Sequence, residues 1–191
     1  MDYYSFRNDY VNTNNELNYY KHNSNIIFKH DLTAGIPKIY NQCDLLYTEP
    51  SWLVGYKIFC KRANMVPYGD YKKYMSMLSN LTYGKKTIVM IIGKSAIKNM
   101  NQNYTKIRVK MNNYWETAYG WNIDLNIYNE TKSFEFIKQL SNDYNNVGDF
   151  CCGFGNTGRI FKENGKNFIM SDISGEVVYK TAIQLMDYES I

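Results

Sequence analysis

Residues 147–172 read VGDFCCGFGNTGRIFKENGKNFIMSD, and the order of residue types in this stretch decides the fold class. Val147 to Cys152 is a short apolar run bounded by turn residues, and glycines follow at once. Thr157 to Glu163 can open a helix, and Asn167 to Ser171 is a second apolar run ending at Asp172. Strand, glycine turn, helix, strand and acid together build a nucleotide-type pocket at the carboxyl end of a parallel sheet. Gly153, Gly155 and Gly158 are expected to let the backbone turn sharply and approach a ligand, because no Cβ intervenes. Asp172 is placed to accept hydrogen bonds from two ribose hydroxyls. The glycine spacing alone also fits a dinucleotide fingerprint. Too few residues follow Asp172 to complete such a sheet, so the remaining strands are expected from the N-terminal side.

The 191 residues, 45% hydrophobic, suit one domain with a sizeable core. No apolar run approaches the ~20 residues of a membrane span. The first residues lack the basic start and apolar core of a targeting segment, which makes a cytoplasmic location the expectation, in the host cell if the source is viral. The Asn, Tyr, Lys and Ile bias fits AT-rich coding of a viral or phage kind. The four cysteines and two histidines have no zinc-ligand spacing, so no metal site is expected. The net charge of +4 permits an acidic partner without demanding one.

Residues 1–24, polar and rich in Asn and Tyr, read as an N-terminal arm, and residues 25–191 as a single domain. Within the domain Asn25 to Asp31 and Asp44 to Thr48 are expected as parallel strands. Glu49-Pro50-Ser51-Trp52 closes the second of them as another candidate site. Tyr71 to Leu81 has helical spacing. Thr87 to Gly93 is continuous and β-branched, as a central parallel strand requires. Lys94 to Asn103 is expected as a short helix. Alternation from Thr105 to Met111 and again from Thr117 to Tyr128 predicts an antiparallel hairpin. Helices over Lys132 to Asn142 and Gly175 to Met186 flank the glycine unit.

Two motifs and their order give the chain its likeness to a known family. Glu49-Pro50-Ser51-Trp52 comes early; much later Lys132-Ser133 opens a helix that leads into Asp149-Phe150-Cys151-Cys152-Gly153-Phe154-Gly155-Asn156-Thr157. In this the chain resembles the circularly permuted β-class amino-methyltransferases, which modify adenine N6 or cytosine N4 in DNA with S-adenosylmethionine. Those enzymes carry an Asp-Pro-Pro-Tyr/Trp tetrapeptide and a Lys-Pro helix running into an Asp-Pro-Phe-x-Gly-x-Gly loop. Here Glu49 stands where the family has Asp, Asn or Ser, and Ser51 replaces the second proline.

The resemblance implies an α/β fold: a Rossmann-like, seven-stranded, mostly parallel sheet with an antiparallel hairpin, circularly permuted. It also implies that Asp149, Phe150, Cys151, Gly153 and Gly155 hold the methionine part of S-adenosylmethionine. Asp172 would hold its ribose and Asp31 its adenine, with Lys132 near the carboxylate. Glu49 and the Pro50 carbonyl would accept the two hydrogens of an exocyclic amine, favouring a pyramidal nitrogen whose lone pair is free to attack. Ser51 completes the catalytic tetrapeptide, and Trp52 would stack on the base. Lys57, Lys61 and Arg62, and more weakly Lys106, Arg108 and Lys110, are candidates for nucleic-acid contact. The leading expectation is methyl transfer to DNA adenine N6, with sequence specificity low or supplied by a partner, and with a homodimer or a specificity partner as the candidate assembly. The alternatives are a non-catalytic subunit that binds cofactor or nucleic acid, and a methyltransferase on RNA, a protein amide or a small amine. A nicotinamide-dependent oxidoreductase is a further rival.

Overall fold

The computed structural model describes residues 19–50 and 71–186, which form one mixed sheet flanked by helices. Its strands are β1 (Tyr19–His22), β2 (Asn25–Lys29), β3 (Leu45–Thr48), β4 (Thr87–Ile91), β5 (Thr105–Met111), β6 (Tyr114–Trp121), β7 (Thr131–Lys132), β8 (Asn146–Asp149) and β9 (Asn167–Asp172). They lie in the order β1-β2-β9-β8-β3-β4-β6-β5-β7, so the expected seven strands are corrected to nine. The additions are at the two edges. β1 comes from the segment read as an arm: Asn23 turns the chain with φ 53°, and Lys21 then pairs with Ile26. Two residues of β7 pair with β5.

Between these edges β2, β9, β8, β3 and β4 run parallel, and β6 and β5 form the expected hairpin. The strand missing from the glycine unit does come from the N-terminal side, with Ile26 to Lys29 in register with Ile169 to Asp172.

Leu45 to Tyr47, Ile88 to Ile91 and Phe168 to Met170 are continuous buried runs because both faces of the sheet are covered. Leu45, Tyr47, Val89 and Ile91 point into one core with α3 (Ser133–Asp143), α4 (Asn156–Glu163) and α5 (Gly175–Leu185). Leu46, Ile88 and Met90 point into the other, with α1 (Tyr71–Leu81), α2 (Lys94–Ile97) and the turns before β3. No helix of the described residues is long and apolar enough to cross a membrane.

β2 and β4 end two residues before their sequence pattern does, and two elements stop much further short. α2 stops at Ile97 because Thr82 captures the following chain, its hydroxyl accepting from Asn101 N (3.0 Å) and its carbonyl from Asn101 Nδ2 (3.0 Å). β6 ends at Trp121 rather than Tyr128. Asn122 takes φ 57° and donates its amide to the Gly84 and Lys86 carbonyls at 2.9 and 2.7 Å, which turns the chain off the ladder.

Candidate active site

The five parallel strands end at one rim, and a cavity of about 410 Å³ lies along it. Its floor is the loop between β8 and α4. Gly153 (φ 48°) and Gly155 (φ 76°) occupy the left-handed region, where a Cβ is strained. The loop is fixed at several points: Cys152 N donates to the Ser171 carbonyl (3.0 Å), Thr181 Oγ1 to the Gly153 carbonyl (2.9 Å) and Gly153 N to Asp172 Oδ2 (3.1 Å).

The three glycines do different things. A Cβ at Gly153 would meet nothing, so this is the place where the backbone lies open. At Gly155 it would sit 2.5 Å from Thr181 Cγ2 and 2.9 Å from Leu185 Cδ1, so this glycine lets α5 close on the loop. Gly158 corrects the sequence reading. It lies inside α4 with a virtual Cβ 2.5 Å from Met170 Cε, and its service is to bring helix and strand together, not to meet a ligand.

Four carboxylates line the cavity: Asp31, Glu49, Asp149 and Asp172. Asp31 caps the turn after β2, accepting from Thr33 N at 2.8 Å. Asp172 accepts from Gly153 N (3.1 Å) and Ser174 N (2.9 Å), which fixes its orientation. A carboxylate has about four acceptor sites, so some remain for a ligand. Burial raises its pKa, and those N–H groups pull it back. Asp149 is 3% exposed, and burial pushes its pKa up to about 7 despite bonds from Cys151 N and Thr157. The nearby charge of Glu49 adds to that rise. Glu49 keeps an exposed surface at the rim, yet the packing around its carboxyl raises its pKa, while the Tyr47 hydroxyl, donating to Oε1 at 3.0 Å, lowers it. Asp149 and Asp172 are thus acids buried at the rim, where a cationic ligand would favour the charged form.

No protein-family model matches the chain, and no curated protein matches it in sequence. Solved structures do. M1.HpyAVI in its complex with SAM has a TM-score of 0.52 and 15% identity, over 84% of this chain and 98% of that one. A Thermus thermophilus protein assigned as a DNA modification methylase has a TM-score of 0.54 and 9% identity, over 84% and 92% of the two chains. Its complex with S-adenosyl-L-methionine gives 0.51 and 10%, over 82% and 91%. The chain has the fold of these proteins.

Within this fold, the residues singled out from sequence fall into three groups. Asp31, Glu49, Asp149, Phe150, Cys151, Gly153 and Asp172 share the one cavity, with Gly155 just behind it. The early tetrapeptide and the late glycine loop therefore start from the same rim. Pro50 is buried beside Glu49. Lys132 is exposed and stands just outside, its neighbours Ser133 and Phe134 lining the cavity in its place. Lys106, Arg108 and Lys110 project from one face of β5 and are exposed. Ser51, Trp52, Lys57, Lys61 and Arg62 lie outside the described residues.

Sequence reasoning missed several positioning residues. Tyr47 lies two residues before Glu49 on the same strand face, a period-two signal that was available. Tyr40 was not legible: its hydroxyl donates to the Asp149 carbonyl (3.2 Å) and meets Ser171 Oγ at 2.7 Å, tying β8 to β9 under the loop. Gly148 makes room for that ring, since a Cβ there would lie 2.6 Å from Tyr40 Cδ1. Tyr114, Phe134 and Phe154, all exposed at the cavity mouth, were also passed over.

Proposed function

We propose that this protein is an S-adenosylmethionine-dependent methyltransferase acting on an exocyclic amino group of a DNA base, with adenine N6 the leading target. The observation that carries this reading is that Glu49 and the glycine loop, far apart in sequence, line the same cavity. The order of the elements supports a circularly permuted chain: β2 and β3 precede the glycine unit that completes the sheet beside them.

The residues present fit the cofactor. Its cationic end suits the buried, partly protonated Asp149, its ribose diol suits the open acceptor sites of Asp172, and the Gly153 backbone permits close approach. Asp31 is positioned by Thr33 for the adenine end. When bound, S-adenosylmethionine supplies an electrophilic methyl group on a sulfonium.

The chain's own contribution is position and electrostatics. Tyr47 occupies Oε1 of Glu49 and leaves Oε2 to accept an N–H from the base amine. The Pro50 carbonyl is the second acceptor. Together they counter delocalisation of the lone pair into the ring. Trp52, by its place in the tetrapeptide, is assigned to stack on the base. Basic residues, Lys106, Arg108 and Lys110 among them, are assigned to phosphates.

Transfer of labelled methyl groups to unmethylated DNA, RNA and nucleosides tests the reading. We expect incorporation into DNA adenine that Glu49→Ala abolishes. Tight cofactor binding without incorporation into any acceptor would move the assignment to a non-catalytic subunit, and NAD binding without S-adenosylhomocysteine binding would end it.

A further inference from the structure

The tip of the β5–β6 hairpin divides two exposed surfaces. Successive strand residues point to opposite faces. Tyr114 therefore faces the cavity that it lines, while Trp115, 42% exposed, faces the other way. On Trp115's side the pairing is in register across three strands: Lys132 is opposite Lys110, and Lys110 is opposite Trp115. Arg108 lies on the same face of β5 as Lys110, with its guanidinium 4.8 Å from the Trp115 ring centroid, and Lys106 follows. Lys110 and Lys132 thus place two like charges on neighbouring strands, an arrangement that an anion between them would relieve. Among the described residues no carboxylate pairs with either. On the cavity side of the tip, Tyr114, Phe134 and Phe154 are 57%, 42% and 70% exposed around one opening.

Cations alternating with open aromatic faces are complementary to a chain that offers both phosphates and free base faces. A duplex offers its phosphates freely but its base faces only at the cost of unstacking and unpairing, a cost that an unpaired strand does not carry. We propose that the substrate is unpaired DNA. The strand's backbone is held by Lys110, Lys132, Arg108 and Lys106, and one base stacks on Trp115. The neighbouring nucleotide passes over the hairpin tip into the cavity between Tyr114 and Phe134. This rests on the methyltransferase reading and adds the state of the nucleic acid that reaches the site.

The test is fluorescence anisotropy with the full chain and a labelled oligodeoxynucleotide of mixed sequence, single-stranded or annealed to its complement, and with the RNA of the same sequence. We expect the single strand to bind at least about tenfold more tightly than the duplex, with Trp115→Ala removing about tenfold of that affinity. Lys110→Glu, a surface change that leaves the ring in place, should weaken the single strand and flatten its salt dependence. S-adenosylhomocysteine affinity, measured in parallel, should be the same for both variants. Duplex binding as tight as single-strand binding, a preference for RNA, or a single-strand preference indifferent to both substitutions would each overturn the proposal. None of these results touches cofactor binding or methyl transfer, whose failure would overturn the methyltransferase reading instead.

Discussion

At the Glu49 carboxylate one hydrogen bond sets both geometry and titration. Tyr47 is buried and donates to it, and that bond lowers a pKa that the packing around the carboxyl has raised. Glu49 must be charged to accept the amine hydrogen, so activity should fall as pH drops through its pKa. Tyr47→Phe removes the lowering contribution and should move this acidic limb of the kcat profile to higher pH. Glu49→Gln should remove the limb and cost kcat about 10²-fold, as loss of one preorganised electrostatic partner commonly does. Pre-steady-state methyl transfer across pH separates the two. Asp149 gives a second prediction. Its pKa stands at about 7 in the ligand-free site, and a bound cation favours the charged carboxylate. Cofactor affinity should therefore rise as pH is raised through about 7, by at most about tenfold per pH unit, and calorimetry should find that slope missing in Asp149→Asn. The acids of this site were legible because each ends a strand or follows it within two residues, and strand ends in a parallel sheet share a rim. Tyr40 was not, because its value comes from a hole at Gly148, far along the chain, that no local pattern announces.

Among the elements, the β8–loop–α4–β9 unit followed most directly from sequence, since periodicity and glycine spacing are both local. What those letters hid was which surface each glycine serves, because that depends on what packs behind it. Gly155→Ala combines a φ of 76° with a Cβ pressed on Thr181 and Leu185, and should destabilise the protein by about 2–4 kcal/mol and loosen α5. Gly153→Ala, with φ 48° but open space, should cost only ~1–2 kcal/mol of stability. Its effect should fall on cofactor affinity. Urea unfolding together with S-adenosylhomocysteine titration reads both quantities for each variant. The hairpin shows the opposite balance. Its alternation was plain from Thr105 onward, yet β6 ends where one asparagine bonds to two carbonyls of a distant turn. A tertiary contact set the boundary.

For the molecule as a whole, the sheet places its buried acids at the end where a ligand would sit, and ligand-free stability should reflect this. A carboxyl whose folded pKa exceeds its unfolded value, as for Asp149, supports folding fully below about pH 4, and that support is lost as pH rises through about 7. Glu49 and Asp172 shift in the same direction. The ligand-free protein should thus melt higher at about pH 5.5 than at about pH 8, with the difference reduced in Asp149→Asn. S-adenosylhomocysteine at a hundredfold excess over Kd should add about 2.7 kcal/mol, raising Tm by about 5–10 °C, whereas NAD should not. The nine-stranded order came through only in part from sequence, because β1 and β7 are too short to carry a pattern of their own. β7 covers only Val109 and Lys110, which leaves the rest of β5 as an outer strand bearing Lys106 and Arg108. Such a strand invites polymerisation with its neighbours in solution, and a row of like charges is what keeps copies apart. Neutralising these side chains should therefore bring turbidity on concentration, an insolubility unrelated to catalysis and visible by light scattering before any substrate is added.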